Sequence, residues 1–121
     1  MRYNADAVTV NPLLGTDSLV PFLKRSDRGI FVLCNTSNPD ATEFQGHGFS
    51  LSIARKAISV WSLNENCFLV IGGTYPEKLE KIRQIAPAIP ILVPGLGSQS
   101  ANVHDIMKVG REITGRFIAK P

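Results

Sequence analysis

Long apolar runs are missing from this 121-residue sequence. No stretch reaches the ~18 consecutive apolar residues that a membrane-spanning helix needs. Met1 is followed by "RYNADAV", which holds no apolar signal region. A cytoplasmic chain with no membrane partner is therefore expected. Cysteine is scarce. Cys34 and Cys67 lie inside the apolar runs "GIFVLCNT" and "NCFLVIGGT", where they read as small buried hydrophobes rather than as a disulfide. With no further cysteine and no His nearby, no zinc spacing exists and no metal is expected. Charge of one sign is not concentrated either: 13 Lys and Arg stand against 10 Asp and Glu, for a net +3. Without a basic block or Arg–aromatic interleaving, nucleic acid is not an expected partner. The small positive surplus suits an anionic small ligand, or an unselected surface equally well. Nucleophile–base pairs are absent too, since neither His47, between two glycines, nor His104, beside Asp105, adjoins an activated Ser or Cys.

The sequence does hold four short apolar runs separated by amphipathic segments. At 44% hydrophobic and 19% charged residues, positions 1–121 are expected to form one domain with a moderate core. "ADAVTVNP", "GIFVLCNT", "CFLVIGGT" and "IPILVPG" read as strands. "DSLVPFLKRS" reads as a short helix capped by Asp17 or Ser18, followed after the second strand by a loop, "SNPDATEFQGHG". "FSLSIARKAISVWSLN" sets Leu51, Ala54, Ile58 and Trp61 at helical spacing, with Trp61 in the core. "YPEKLEKIRQIAP" starts a helix near Pro76, with Glu77 and Glu80 at the positive end of its dipole. "NVHDIMKVGREITGRF" holds at least one further helix or strand turn. Apolar strands separated by helices imply a parallel sheet covered by helices, an α/β fold. Periodicity leaves two forms open, an open doubly wound sheet and half of an eight-stranded barrel. In both, ligands sit at the carboxyl ends of the strands.

The strand ends carry the unusual residues: Thr9 and Asn11, then Thr36, Ser37 and Asn38, then Gly72, Gly73 and Thr74, then Pro94 through Gln99. In "VPGLGSQ", Gly95 and Gly97 permit a tight turn with exposed amide donors suited to an oxyanion, and Gln99 adds a neutral donor. An ordinary βα turn explains the same residues, as it does for "VIGGTYP". "NTSNP" offers hydroxyls and amides that fit a polar ring edge, or simply an Asx or Ser turn before Pro39. In "VGREI", Arg111 follows a glycine and has the fork to grip a phosphate.

"DAVTVNPLLGTDSLVPFL", "GIFVLCNTSNPDA", "GGTYPEKLEKIRQIAP" and "ILVPGLGSQ" occur in that order. Over most of Asp6–Gln99 the sequence resembles the C-terminal half of orotidine-5'-phosphate decarboxylase, in its second, bacterial-type subgroup. The resemblance implies the C-terminal half of a (β/α)8 TIM barrel, with the four strands as barrel strands four to seven. It also implies the conversion of orotidylate to UMP in pyrimidine biosynthesis, without cofactor or metal. By the same resemblance Ser37 contacts the pyrimidine, Pro94 walls the ring, and Gln99 touches the phosphate. Arg111 resembles the family arginine that clasps the phosphate, while Thr9 and Asn11 match strand-end positions near the ligand.

Two departures from the family stand out. Its catalytic "D-x-K-x-x-D" stretch, which lies in the N-terminal half, does not occur in these 121 residues. No catalytic residue is therefore assigned, and the isolated chain is expected to be inactive. The stretch from Gln99 to Arg111 also leaves little room for a helix and an eighth strand, and "SQSAN" has Ser and Ala where further glycines are usual. Half a barrel would expose sheet edges and an apolar face, so a homo-oligomer or a complementary N-terminal half is the expected partner. The alternatives are a non-catalytic nucleotide- or phosphate-binding module and an inert truncated fragment.

Overall fold

Alternation along the second apolar run decides which face of the sheet is buried. In the computed structural model, which describes residues 3–46, 48–73, 76–95 and 118–119, this run is strand β2, Gly29–Asn35. Ile30, Val32 and Cys34 are buried while Phe31 and Leu33 are only partly so, as the twofold repeat of a strand requires. The remaining strands are β1 (Ala7–Val10), β3 (Cys67–Ile71), β4 (Ile91–Val93) and β5 (Ile118–Ala119). The helices are α1 (Thr16–Leu23), α2 (Thr42–Gln45), α3 (Phe49–Lys56) and α4 (Pro76–Ile85).

Among the described residues all four strand pairings are parallel, and the sheet order is β1-β2-β3-β4-β5. A doubly wound sheet reverses its order at a switch point. Here the order never reverses, which is the progression of a barrel wall. This observation separates the two forms that periodicity left open. Right-handed crossovers then bring successive helices to one face. On that face Ile30, Val32, Leu69, Ile71, Ile91 and Val93 meet Leu19 of α1, Ala54 of α3, and Leu79 and Ile82 of α4. Each Val, Leu or Ile side chain among them contributes about 1.5–3 kcal/mol on full burial.

Residues of alternate parity point to the other face. Thr9 is exposed, Phe31, Leu33, Phe68 and Leu92 are half-buried, and Val70 is buried. Phe31 and Phe68 are register partners whose ring centroids stand 5.0 Å apart, and they form the apolar centre of this less covered face.

Several local expectations need correction. The first helix is capped by neither Asp17 nor Ser18. It begins at Thr16 behind Gly15, whose φ of 90° suits glycine, and the Ser18 hydroxyl donates back to the Gly15 carbonyl (2.7 Å). The loop after β2 is partly helical, with a 3₁₀ turn at Pro39–Ala41 leading into α2. The long amphipathic segment continues past α3 as a π-helical turn, Ala57–Trp61. Its buried stripe is Ser50, Ala54, Ala57 and Trp61, whereas Ile58 is 41% exposed. Ala57 is fully buried in place of Ile58, which turns the stripe one residue away from the expected one. A fifth strand also forms, and it follows Arg111 in the chain.

Candidate functional site

The carboxyl end of β2 is irregular, and the irregularity shapes the rim. Leu33 pairs with Val70, but Asn35 pairs with Ile71, so β2 carries one extra residue there. Beyond this bulge the Asn35 carbonyl accepts a hydrogen bond from the Gly72 amide (2.8 Å). Ser37 then lies directly against Gly72. A Cβ placed on Gly72 would stand 2.7 Å from both the nitrogen and the Cα of Ser37. One residue on, the Gly73 amide donates to the Pro94 carbonyl (3.0 Å). Ser37, Gly72–Gly73 and Pro94 are thus contiguous across three strand ends. Ser37 and Pro94 are half-buried, and Gly95, the residue after Pro94, turns the chain at φ 89°.

The amides of Gly72 and Gly73 are consumed in these lateral bonds, so they are not anion donors. At this position the ordinary βα-turn reading holds. Asn11 also has a structural duty. Its Oδ1 accepts from the Leu13 amide (2.9 Å) and caps the 3₁₀ turn Pro12–Leu14 that ends β1. Asn11, Pro12, Leu13, Leu33, Thr36 and Phe44 line a cleft of about 200 Å³ between the ends of β1 and β2. Thr9 stands further back, paired in register with Phe31, and presents its hydroxyl on the less covered face.

A residue that sequence reasoning missed holds the "TSNP" segment in place. The Gln45 Oε1 accepts from the Thr36 amide (2.7 Å), and its Nε2 donates to the Thr36 hydroxyl (2.8 Å). The Thr36 hydroxyl in turn donates to Asn38 Oδ1 (2.6 Å). Ser50, buried at the start of α3, donates to the Cys34 carbonyl (2.9 Å), and the Asn35 side-chain amide reaches its hydroxyl (3.4 Å). The Thr36 hydroxyl and the Asn38 Oδ1 are therefore occupied with one another. No local pattern announces Gln45, because its partner lies nine residues away across a turn.

Of the residues expected at the site, the structure brings Ser37, Pro94 and Asn11 to one end of the sheet and leaves Thr9 on the adjoining face. Gln99 and Arg111 lie outside the described residues, as do Gly97, Thr74, His47 and His104. Among the described residues, no group of three or more His, Cys, Asp or Glu side chains converges, and no helix is long and apolar enough to cross a membrane. Both cysteines are free and buried. Burial pushes each thiol up to about 12, with the neighbouring Cys67 adding to the effect on Cys34, so neither is a nucleophile at neutral pH.

Comparison with known proteins places this geometry in context. Residues 1–118 match the family model described as orotidine 5'-phosphate decarboxylase / HUMPS family. An orotidine 5'-phosphate decarboxylase of Cellvibrio japonicus is 43% identical over 119 residues, covering 94% of this chain and 44% of that protein. One from Variovorax paradoxus is 40% identical over 118 residues, covering 90% of this chain and 43% of its own length. The chain thus spans less than half the length of these curated relatives. Among solved structures, Leishmania donovani UMP synthase superimposes with a TM-score of 0.92 at 34% identity, over 98% of this chain and 28% of that one. Leishmania donovani OMP decarboxylase gives 0.88 at 33% identity, over 98% and 48%.

Proposed function

The chain belongs to the orotidine 5'-phosphate decarboxylase / HUMPS family and covers part of that family's barrel; from this we propose that it is the C-terminal, nucleotide-gripping part of an orotidylate decarboxylase. The observation that carries the reading is the unbroken rim from Ser37 across Gly72 and Gly73 to Pro94. On this reading Ser37 meets the pyrimidine edge and Pro94 walls the ring. Asn11 and Thr9 line the approach from the first strand. Gln99, four residues after Gly95 in the sequence, contacts the phosphate. Arg111 is the second candidate for that grip. It precedes β5 in the chain, whereas a strand-end residue of that unit would follow Ala119. Gln99 therefore comes first in the assignment.

Decarboxylation without a cofactor draws on binding energy from parts of the substrate remote from the reacting carbon. This chain supplies such grip and holds no "D-x-K-x-x-D" stretch, so on its own it binds and does not turn over. A complementary half, or a second copy of the chain, would cover Thr9, Phe31 and Phe68 and pair with the outer strands β1 and β5. The substrate is orotidylate and the product UMP, handled in the cytoplasm.

The test is UMP binding by the purified chain, together with orotidylate turnover followed by its ultraviolet absorbance. The chain should bind UMP and leave orotidylate intact. Turnover should return when the N-terminal segment of a curated relative, carrying "D-x-K-x-x-D", is added. Turnover by the chain alone, lost in Ser37→Ala, would mean that one of its own lysines donates the proton. The absence of that stretch also favours a second reading, a non-catalytic nucleotide-binding module. That reading would be supported by UMP affinity with no turnover even after complementation. An inert fragment would show neither.

A further inference from the structure

The peptide joining Asn35 to Thr36 faces two ways. In a planar trans peptide the carbonyl and the amide hydrogen point to opposite sides. The Asn35 carbonyl is directed at β3, where it accepts from the Gly72 amide (2.8 Å). The Thr36 amide is therefore directed away from β3, toward the side of the sheet that β1 occupies. But β1 ends at Val10, whose register partner is Val32, and Pro12 then starts a 3₁₀ turn. The strand that would have supplied the next acceptor has already stopped, and a partly buried amide left without one costs about 1–3 kcal/mol.

Gln45 fills the place of that strand. Its Oε1 accepts the Thr36 amide at 2.7 Å, and its Nε2 donates to the Thr36 hydroxyl at 2.8 Å. A side-chain amide offers both an acceptor and a donor at that reach. A carboxylate accepts but does not donate, and an ammonium donates but does not accept. The second bond has a further consequence. With its lone pair engaged by Gln45, the Thr36 hydroxyl turns its hydrogen to Asn38 Oδ1 (2.6 Å). Residues 36 and 38 are thereby tied together on either side of Ser37. On its other flank Ser37 rests against Gly72. Ser37 is held between a glycine that lets it approach β3 and a glutamine that keeps it from drifting off.

We propose that Gln45 is a positioning residue: it takes the place of β1 at the end of β2, where β1 has already stopped, and fixes Ser37 to meet the pyrimidine of a bound nucleotide. The proposal rests on the function assigned above, and it adds that Gln45 acts on recognition of the base and not of the phosphate.

The test compares the parent chain with Gln45→Ala and Gln45→Glu, using UMP and ribose 5-phosphate as probes and amide hydrogen exchange as a ligand-free readout. Gln45→Ala should weaken UMP by about tenfold while ribose 5-phosphate, which has no base, stays within about twofold. Exchange should speed up at Thr36, Ser37 and Asn38, with the amides of β3 unchanged. Gln45→Glu keeps the acceptor for the Thr36 amide, so Thr36 should stay protected. It lacks the donor that orders the Thr36–Asn38 bond, so UMP should still weaken. A parallel loss of both probes in Gln45→Ala, or full UMP affinity in Gln45→Glu, would overturn the positioning role. If the parent chain binds no UMP, the assigned function fails, and unchanged exchange at residues 36–38 in Gln45→Ala would then overturn the clamp by itself.

Discussion

The backbone of Ser37 lies in the space that a side chain on Gly72 would need, with 2.7 Å between its nitrogen or Cα and an added Cβ. The constraint is one of room alone, since Gly72 is not among the residues with positive φ. The two nearest atoms are backbone, held by the Asn35 carbonyl bond to Gly72 and by the Gln45 bonds to Thr36, so relief requires moving a strand end.

Gly72→Ala should therefore destabilise the chain by about 1–3 kcal/mol, as overpacking of a tight site does. Urea unfolding checks the magnitude, and a parallel UMP titration should show weakened binding because Ser37 moves with the strain. A variant as stable as the parent would mean that β2 and β3 can part at their ends without cost.

Asn66 performs a related task at the opposite end of the sheet. Its side-chain amide donates to the carbonyls of Leu23 (3.2 Å), Arg25 (3.0 Å) and Arg28 (2.9 Å), gathering the turn between α1 and β2 just before β3 begins. The residue is 4% exposed, so water does not readily replace it. Asn66→Ala should cost about 1–3 kcal/mol, chiefly through the Arg28 carbonyl, since those of Leu23 and Arg25 also accept from the Asn64 side-chain amide and the Arg28 backbone amide. Asn66→Asp should cost more, because a carboxylate facing three carbonyls has no donor to offer and is disfavoured by burial. Guanidinium unfolding midpoints should rank parent, Ala, Asp; an Asp variant equal to the parent would sink the account.

These two sites show what was legible in the sequence and what was not. The strands were, because Ile30, Val32, Leu69 and Ile91 sit in apolar runs that only a sheet covered by helices can bury. Pro76 marked the start of α4 because a missing amide hydrogen does no harm in a first turn. The rim residues Ser37 and Pro94 were legible by position, as small or rigid residues just past apolar runs. The work done by each was not. Gly72 and Gly73 offer free amides in sequence but spend them on Asn35 and Pro94. Asn11 doubles as a cap. Gln45, Ser50 and Asn66 act on partners that no local spacing connects to them. Nor did the alternation along β2 foretell its bulge, which arises from pairing with β3.

Trp61 is 3% exposed, and its indole nitrogen donates to the Thr16 hydroxyl at 3.1 Å. The bond ties the π-helical turn to the start of α1, 45 residues earlier. Thr16→Val keeps the shape and removes the acceptor, leaving a buried indole donor unpaired at a cost of about 1–3 kcal/mol. Thr16→Ser restores the hydroxyl and should recover most of the loss. Thermal unfolding followed by Trp61 fluorescence measures both variants in one probe. Equal stability of Thr16→Val and the parent would show that the indole finds another acceptor.

The two cysteines give the chain a built-in alkaline limit. Cys34 donates its thiol hydrogen to the Ser50 carbonyl (3.2 Å), and burial pushes both thiols from the ordinary 9.0 up to about 12. Below pH 9 the folded and unfolded chains both keep these protons, so the cysteines add no pH dependence. Between about 9 and 12 the unfolded chain loses protons that the folded chain retains, and stability falls by up to about 1.4 kcal/mol per pH unit for each thiol. Unfolding free energies measured from pH 7 to 10.5 should bend downward above 9. The bend should flatten when both cysteines are replaced by Ala, whatever the absolute stability of that variant. At pH 8 the native thiols should resist a disulfide reagent and react at once in denaturant. Rapid reaction of the native chain, or an unchanged alkaline slope in the double variant, would show that solvent reaches Cys34 or Cys67 without unfolding.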